Sequence, residues 1–315
     1  MKKGIVVLSL FDGMSCGRIA FDRAGIKVKK YYASEIDKYA QIVSAANYPD
    51  IIRLGDITKW KEWKIEKPDI IIGGSPCQGF SFAGKGLNFD DPRSKLFFTF
   101  VDILHHYKPK YFLLENVKMK KEHQKVISDR LGVEPIEINS ALVSAQNRKR
   151  LYWTNISGVT QPKDKGILLI DILEDGFTEK EKAYCIDANY FKGTNLTQYL
   201  KNKRRQIIYN NNNINSRFKA KRIGTLAHIK AHNNIRKLID KSKCLTVGGQ
   251  SISNSGATNL KYSDEYIRIL TPLECERLQT VPDNFTAHVS NTQRYKMLGN
   301  GWTVDVIAHI FRGLK

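Results

Sequence analysis

The first half of the chain alternates short apolar segments with helix-like segments, and this alternation constrains the fold more than any other feature. Residues 5–11 (IVVLSLF), 31–35 (YYASE) and 68–74 (PDIIIGG) are predicted to be strands, since they are rich in β-branched or aromatic residues. Residues 17–24 and 37–46 lie between them and have helical spacing. Strands that alternate with helices predict a mostly parallel sheet covered on both faces.

The same alternation continues to about residue 165. Residues 94–107 (SKLFFTFVDILHHY) predict an amphipathic helix, and residues 110–117 and 150–156 predict two further strands. The C-terminal residues 302–314 (WTVDVIAHIFRGL) predict a helix whose apolar face suits this first part of the chain. We therefore expect residues 1–165 and 291–315 to form one α/β domain.

Residues 166–290 differ in character, and we expect them to form a second, smaller domain. The periodicity fades between 175 and 265, where basic clusters occur at 201–205 (KNKRR) and 217–222 (RFKAKR). A loosely ordered basic insert is one interpretation. Six aromatic residues between positions 184 and 218 favour a folded module instead, because disordered segments are poor in aromatic residues.

A helix is predicted near the end of this second region, at residues 271–279 (TPLECERLQ). Thr271 is placed as its N-cap, with Pro272 in the first position and Glu274 in the third, which is the pattern of a capping box. We expect this helix to have a structural role.

The charge of the chain predicts a polyanionic partner, because the formal net charge is +20 and the isoelectric point is near 9.6. Nucleic acid and an anionic membrane surface are the two candidates. No apolar run approaches the roughly 20 residues that span a bilayer. The apolar N-terminal stretch runs into Asp12 and Gly13 without a cleavage site, so it is better interpreted as a strand than as a signal peptide. Nucleic acid is therefore the favoured partner.

The cysteines are odd in number and widely scattered, and no CxxC pair occurs among them. They are Cys16, Cys77, Cys185, Cys244 and Cys275. This distribution argues against a disulfide framework and against structural zinc, so we expect no metal and a reducing cytoplasm. A lone cysteine is more often a small buried hydrophobe than a catalyst, so only its surroundings can indicate chemistry.

A cofactor site is predicted where the first strand ends in FDGMSCG. Gly13 and Gly17 permit a tight turn and a close approach of the backbone to a ligand. Glu35 ends the second strand about 20 residues further on, where nucleotide-binding folds place an acid on ribose hydroxyls. Asp56 could accept a hydrogen bond from an adenine amino group. Either acid alone would usually be a solvated loop residue, but together and in this order they favour an adenosine cofactor.

A reactive cysteine is predicted in the segment GGSPCQGFSFA (73–83), which follows a strongly apolar strand. Cys77 would lie at the carboxyl end of this strand, where α/β enzymes assemble their sites. The next segment, GKGLNFDDPRSK, is rich in glycine and polar residues and could act as a mobile lid.

Three charged residues are expected near Cys77. Glu115 follows four apolar residues at the end of a strand, where a charge is costly unless it has a partner or a task. With Asn116, it would lie near Cys77 if the two strands are neighbours. Arg148 and Arg150 are two apart at the start of another strand, so they point to one face. A surface pair is the alternative interpretation for these arginines.

Six motifs in one order carry a resemblance to a known family. FDGxxxG, SPCQGFS, ENV, QNRKR, TPLECERLQTVPDNF and LGNGWTV resemble the motifs of DNA cytosine-5 methyltransferases, and the likeness covers almost the whole chain except about 165–245. LSLFDGMSCG lacks the acid before Phe and the GxG of many bacterial members. GNGWTV stands where many have a GNSV-like sequence. Both departures resemble the animal de novo branch.

The resemblance implies a Rossmann-like class I S-adenosylmethionine-dependent methyltransferase sheet with a smaller target-recognition domain. S-adenosylmethionine would be the cofactor and S-adenosylhomocysteine the product. Cys77 would add to cytosine C6 as a thiolate, and nearby cationic groups should assist because an unperturbed thiol has a pKa of about 8.5. Glu115 would hold the N3/N4 edge of the base, Arg150 would contact O2, and Arg148 would help to position the base and the Cys77 loop.

The resemblance also implies the binding residues. Those expected to bind the cofactor are Phe11, Gly13, Ser15, Cys16, Gly17, Glu35, Ile36, Asp56, Ile57, Leu96, Asn300 and Trp302. The target atom is inaccessible in a duplex, so the base must be flipped out. Gln78 and Ser81 would close over it, Lys203, Arg204 and Arg205 would bind phosphates, and Thr246 would contact the backbone beside it.

The expected enzyme is thus a monomer that methylates double-stranded DNA, as in restriction–modification systems, in the cytoplasm of a bacterial cell or a phage-infected host. A tRNA-methylating branch shares the Pro-Cys-Gln motif, but its Cys-Phe-Thr signature is missing here and the basic recognition region argues against it. A catalytically inactive DNA-binding homologue would usually lose the nucleophile or the acid, whereas this chain keeps Cys77, Glu115 and both arginines.

Overall fold

A seven-stranded sheet forms the centre of the molecule, in a computed structural model that describes residues 4–75, 92–178, 180–192, 208–209 and 267–314. Its strands are β1 (Ile5–Leu10), β2 (Val28–Ser34), β3 (Ile52–Arg53), β4 (Ile70–Gly73), β5 (Tyr111–Val117), β6 (Ile136–Asn139) and β8 (Lys149–Thr154). Two small sheets are formed by the short strands β7 (Gln146–Asn147), β9 (Ala183–Tyr184), β10 (Ile208–Tyr209) and β11 (Ile267–Arg268).

The central sheet is mostly parallel, as the sequence predicts. Its strand order is β3-β2-β1-β4-β5-β8-β6, and the first five of these strands pair in parallel. Strand β8 is the exception, because it runs antiparallel to both β5 and β6. Its first residues therefore lie at the carboxyl end of β5, where Arg150 pairs with Val117.

Helices connect and cover the strands. They are α1 (Cys16–Arg23), α2 (Lys38–Asn47), α3 (Pro92–Tyr107), α4 (Lys121–Leu131), α5 (Pro272–Leu278), α6 (Asn291–Asn300) and α7 (Val304–Phe311), with short 3₁₀ helices at Ile57–Glu62, Ser140–Leu142, Leu169–Ile172 and Tyr190–Lys192. Every strand and helix predicted above is confirmed, with slightly different ends. Helices α4 and α6 and strand β6 were not predicted, because α4 (KEHQKVISDRL) and α6 (NTQRYKMLGN) contain few apolar residues.

Both faces of the sheet are covered, as predicted, because alternate residues of the strands enter two different cores. Val7 packs in one core with Phe21 of α1 and Phe311 of α7, whose rings stack 4.1 Å apart. Leu8 packs in the other core with Phe97 of α3. Each such buried side chain contributes about 1.5–3 kcal/mol relative to an exposed one. Within the described ranges, no helix has the length and apolar character needed to cross a membrane.

Helix α5 begins with the predicted capping box. The backbone N–H of Glu274 donates to Thr271 Oγ1 at 3.2 Å, and the Glu274 carboxylate accepts from the Thr271 N–H at 2.8 Å. Arg277 of this helix donates to the Ile172 carbonyl, and the Gln279 side chain that follows it donates to the Leu298 carbonyl. Helix α5 therefore joins the segment after residue 165 to the C-terminal helices.

Candidate active site

A cavity of about 460 Å³ lies where strands β1, β2, β4 and β5 end. The carboxyl edge of a parallel sheet is the usual ligand site of such folds, and pockets of about 300–1,000 Å³ bind small molecules. Nine of the residues predicted to bind the cofactor or the target base line this cavity: Phe11, Gly13, Cys16, Glu35, Glu115, Arg148, Arg150, Asn300 and Trp302.

The loop after β1 has an unusual backbone. Phe11, Gly13 and Ser15 have φ values of 57°, 59° and 67°, in the left-handed region that favours glycine. Phe11 and Ser15 are not glycines, and non-glycine residues in this region cost about 1–3 kcal/mol each and cluster at ligand sites. Asp12 holds the loop, because its carboxylate accepts hydrogen bonds from Ser15 Oγ at 2.6 Å and from the Tyr31 hydroxyl at 2.7 Å.

Asp12 was not predicted as a site residue, although it lies within the FDGMSCG motif. Burial raises the pKa of its carboxyl group to about 6, while hydrogen bonds from three neighbouring hydroxyl groups act in the opposite direction. The negative charge of Glu35 raises the pKa further. Asp12 therefore places an acid with a perturbed pKa at the wall of the cavity.

Glu35 is held by three backbone N–H groups. Its Oε2 accepts from Gly13 at 2.8 Å, and its Oε1 accepts from Ile36 at 2.8 Å and Asp37 at 2.7 Å. A carboxylate offers about four acceptor positions, so one remains for a donor in the cavity. This arrangement fits the predicted contact with a ribose hydroxyl.

Six other residues predicted to bind the cofactor do not line this cavity: Ser15, Gly17, Ile36, Asp56, Ile57 and Leu96. Ser15 is buried under the loop, where its hydroxyl also contacts Ser44. A Cβ on Gly17 would lie 2.5 Å from Ile72 Cδ1, so Gly17 allows α1 to approach the sheet. Ile57 is buried in a core, and Leu96 packs against the same core.

Ile36 lies between Glu35 and Asp37, which both line the cavity, and Asp56 lies in the segment after β3. The Asp56 carboxylate accepts from the Thr58 backbone N–H at 2.9 Å and caps the 3₁₀ helix that follows. Hydrogen bonds from Thr58 lower the pKa of Asp56, which favours its ionised, accepting form. The Ile36 side chain is 74% exposed, which leaves its apolar surface free for a ligand. Their predicted contacts with the cofactor stay predictions.

Glu115 lines the cavity and is only 8% exposed. Its Oε1 lies 3.0 Å from Arg150 Nε, and its Oε2 accepts from Trp302 Nε1 at 3.1 Å. The neighbouring Asn116 donates to the Ser75 carbonyl and hydroxyl at 3.4 and 3.3 Å. Strands β4 and β5 are neighbours. Gly74 and Ser75, which follow β4, and Glu115 of β5 therefore face the same cavity.

Arg148 and Arg150 point to one side, as predicted, since both guanidinium groups contact Cys185 Sγ, at 3.2 and 3.7 Å. Arg148 is buried, and it donates to the carbonyl oxygens of Ile186, Gly299 and Gly301 at 3.1, 3.3 and 2.8 Å. Burial and the charge of Arg150 lower the pKa of Arg148. Arg148 therefore connects its own strand to the segment at Ile186 and to the end of α6 through buried hydrogen bonds.

Cys185, Asp37 and Lys296 are among the other lining residues that were not predicted. Cys185 comes from the segment after residue 165, and Lys296 of α6 donates to Asp37 at 2.7 Å across the cavity. These residues belong to no motif, so only the fold brings them to the site. Cys16 was predicted, and burial raises the pKa of its thiol to about 12, so this thiol stays protonated.

Several predicted residues lie outside the described residues: Cys77, Gln78, Ser81, Lys203, Arg204, Arg205 and Thr246. The described chain reaches Gly74 and Ser75, which both line the cavity, just before Cys77.

Comparison with known sequences gives a family for the whole chain. The sequence model of the family "C-5 cytosine-specific DNA methylase" matches residues 5–315. The type II methyltransferase M1.ScrFI of Lactococcus lactis subsp. cremoris is 32% identical, with 96% of this chain and 75% of that protein covered. The type II methyltransferase M.HpaII of Haemophilus parainfluenzae is also 32% identical, with 98% of this chain and 88% of that protein covered.

Comparison with solved structures supports the fold independently. The crystal structure of a Spodoptera frugiperda DNMT2 mutant superposes with a TM-score of 0.67 and covers 99% of both chains, at 20% sequence identity. At that identity the likeness shows the fold alone. The fold is that of the class I methyltransferases, a mixed α/β fold with a seven-stranded sheet.

Proposed function

The chain belongs to the family of C-5 cytosine-specific DNA methylases, and on that premise we propose that Cys77 is the nucleophile that activates a flipped cytosine for methylation at C5. The chain is accordingly a DNA cytosine-5 methyltransferase. The observation that carries the proposed assignment is the pair Glu115–Arg150, which faces the same cavity as Gly74 and Ser75.

The proposed nucleophile is supported by chain geometry. Ser75 lines the cavity, and two residues of chain span at most about 7 Å, so the chain length is compatible with the proposed place of Cys77 at the same cavity. Arg148 and Arg150 bring two positive charges to this cavity, and positive charge favours a thiolate over a thiol. No such support exists for Cys16, whose thiol is buried and protonated.

The proposed chemistry explains why a thiol and an acid are needed together. Carbon 5 of cytosine is a poor nucleophile, and a thiolate that bonds to C6 moves electron density onto C5. Glu115 would hold the N3/N4 edge of the base and supply a proton or a hydrogen bond at N3, where negative charge develops. The activated C5 would then take the methyl group that the cofactor supplies, and removal of the C5 proton by a base with loss of the Cys77 thiolate would restore the aromatic ring.

Use of S-adenosylmethionine follows from the family and the fold, and the described residues fit this cofactor. When bound, it supplies the methyl group and leaves as S-adenosylhomocysteine. We propose that Glu35 accepts its ribose hydroxyls and that the strained Phe11–Ser15 loop, Asn300 and Trp302 enclose it. The acceptor position left on Glu35 supports this placement.

We propose a division of labour between two parts of the chain. Residues 1–165 and 291–315 would hold the cofactor and the catalytic groups, while residues 166–290 would recognise double-stranded DNA. Lys203, Arg204 and Arg205 would bind phosphates, Thr246 would contact the backbone near the target, and Gln78 and Ser81 would close over the flipped base. The surplus of basic residues, +20 in formal charge, supports a duplex as the partner.

The biological setting is proposed from the relatives. Both sequence relatives described above are named type II methyltransferases, so we propose that this enzyme also protects DNA in a restriction–modification system. We propose that it acts as a monomer, since one chain carries all the proposed groups, and without a metal, since a thiolate and a carboxylic acid account for the chemistry. The scattered cysteines support a cytoplasmic location.

A trapping experiment tests the proposal. In duplex DNA with 5-fluorocytosine at the target, fluorine replaces the proton at C5, so elimination is blocked and the Cys77–C6 bond persists. We expect a covalent complex on a denaturing gel in the presence of S-adenosylmethionine. Cys77→Ser should give none, whereas Cys275→Ala, a change at a buried cysteine in α5, should give it. A complex with Cys77→Ser would overturn the assignment, and trapping on RNA alone would favour the tRNA-methylating branch.

A further inference from the structure

The indole of Trp302 is joined to the acid of the catalytic site. Trp302 lies in the loop between α6 and α7, and its Nε1–H donates to Glu115 Oε2 at 3.1 Å. Arg150 holds the other carboxylate oxygen at 3.0 Å. Each oxygen of Glu115 thus has one fixed donor, so the plane of the carboxylate is set by two groups from different parts of the chain.

A series of contacts also connects Arg150 back to the loop of Trp302. Arg150 reaches Cys185 Sγ at 3.7 Å, and Arg148 reaches the same sulfur at 3.2 Å. Arg148 also donates to the carbonyl of Gly301 at 2.8 Å, and Gly301 directly precedes Trp302. Arg148 therefore holds the loop that carries Trp302, while Arg150, which shares Cys185 Sγ with Arg148, contacts Glu115.

A glycine makes room for the contact between Trp302 and Glu115. A Cβ on Gly74 would lie 3.0 Å from Glu115 Oε2 and 3.0 Å from Trp302 Nε1. A methyl group there would press against both ends of the hydrogen bond. The backbone after β4 can approach this hydrogen bond closely because residue 74 has no side chain.

We propose that Trp302 is a positioning residue that orients Glu115 for the target cytosine, in addition to its expected place beside the cofactor. This inference rests on the proposed role of Glu115. A carboxyl group turns easily about its terminal bond. With Oε1 held by Arg150 and Oε2 by Trp302, Glu115 keeps one orientation, and its remaining acceptor positions are left for the base.

The first test removes the N–H group and keeps an aromatic ring. In Trp302→Phe, we expect kcat to fall about 10- to 100-fold, the range for one hydrogen bond to a charged group. The dissociation constant for S-adenosylhomocysteine, measured by calorimetry, should stay close to that of the wild type. Trp60→Phe is the matched control, since Trp60 is half-buried and packs against His106, and kcat should be unchanged there.

The second test observes the hydrogen bond itself. The chain has four tryptophans, so ¹H–¹⁵N spectra contain few indole signals, and Trp302→Phe identifies the one from Trp302. We expect this signal to shift in Glu115→Gln, which weakens the acceptor. We expect it to shift also in Gly74→Ala, where both partners are retained and the added methyl group crowds them.

The outcomes separate this inference from the proposed function. Full activity in Glu115→Gln would overturn the proposed role of Glu115 itself. An inactive Glu115→Gln, together with a fully active Trp302→Phe and an unmoved indole signal, would overturn the positioning role of Trp302 alone. Loss of S-adenosylhomocysteine binding in Trp302→Phe, with the indole signal unmoved in Glu115→Gln, would also overturn it and leave Trp302 with a role at the cofactor only.

Discussion

Arg150 and Glu115 form an ion pair in the wall of the cavity at the carboxyl edge of the sheet, with Arg150 Nε 3.0 Å from Glu115 Oε1. Their side chains are 14% and 11% exposed, so water screens the pair only weakly. Removal of one partner from a buried pair leaves an uncompensated charge, whereas removal of both leaves none. The effects of the two substitutions on the free energy of unfolding should therefore depend on each other.

We predict this coupling in a double-mutant cycle measured by urea unfolding. Arg150→Met alone should lower the free energy of unfolding by about 3–5 kcal/mol, because the Glu115 charge loses its partner. Adding Glu115→Gln should recover part of that loss, so that the double variant is more stable than Arg150→Met. Strictly additive losses would mean that the two side chains are not coupled.

Asp12 should make the stability of the folded protein depend on pH. Its folded pKa of about 6 lies above the ordinary value of 3.8, so between these values the folded state holds a proton that the unfolded state has released. Stability contributed by this proton is present below about pH 4 and is lost as the pH rises through 6. Asp12→Asn should therefore be more stable than the wild type at pH 8, by roughly 2–3 kcal/mol, with the difference vanishing near pH 4.

Asp37 provides a control, because its contribution to stability should change with pH in the opposite direction. Urea unfolding measures both variants. Burial acts to raise its pKa, but the hydrogen bond from Lys296 and those from the backbone of α2 outweigh this effect and lower it. Its contribution is present at neutral pH and is lost as the pH falls. Asp37→Asn should therefore be less stable than the wild type at pH 8. If Asp12→Asn behaved in the same way, the assignment for Asp12 would be wrong.

Gly299 should tolerate no side chain. A Cβ there would lie 2.1 Å from the Asp187 carbonyl carbon and 2.4 Å from the Ala188 nitrogen, and backbone atoms cannot turn aside. We predict that Gly299→Ala lowers the melting temperature more than Gly132→Ala does. Gly132 has a φ of 70° with open space around it, so alanine there costs only about 1–2 kcal/mol of backbone strain. Equal losses would show that the α6 end is not packed against residues 187–188.

The fold class could be predicted from the sequence because β1, β2 and β4 are apolar and separated by helical patterns. The position of Arg150 beside Glu115 could not be derived from that pattern, because it depends on β8 running antiparallel to β5. The contact between Trp302 and Glu115 joins residues 187 positions apart. Such a contact depends on how α6 and α7 close over the sheet, and no local pattern carries that information.

The basic cluster at 201–205 should bind DNA mainly through phosphates. We predict that replacing Lys203, Arg204 and Arg205 together with glutamine weakens DNA binding at low salt and reduces the salt dependence of the binding constant. Each lost phosphate contact should lower the slope of log K against log salt by about 0.9. Fluorescence anisotropy over a salt series measures this slope. An unchanged slope with an altered sequence preference would identify the cluster as a base-reading element instead.

The most direct measurement is mass spectrometry of nucleosides from duplex DNA that has been incubated with the pure enzyme and S-adenosylmethionine. For the wild type we predict 5-methyl-2′-deoxycytidine as the methylated nucleoside. For Cys77→Ala, folded as judged by its unfolding curve, we predict none. Formation of 5-methyl-2′-deoxycytidine by Cys77→Ala at the wild-type rate would contradict the account, as would methylation of an exocyclic amino group by the wild type.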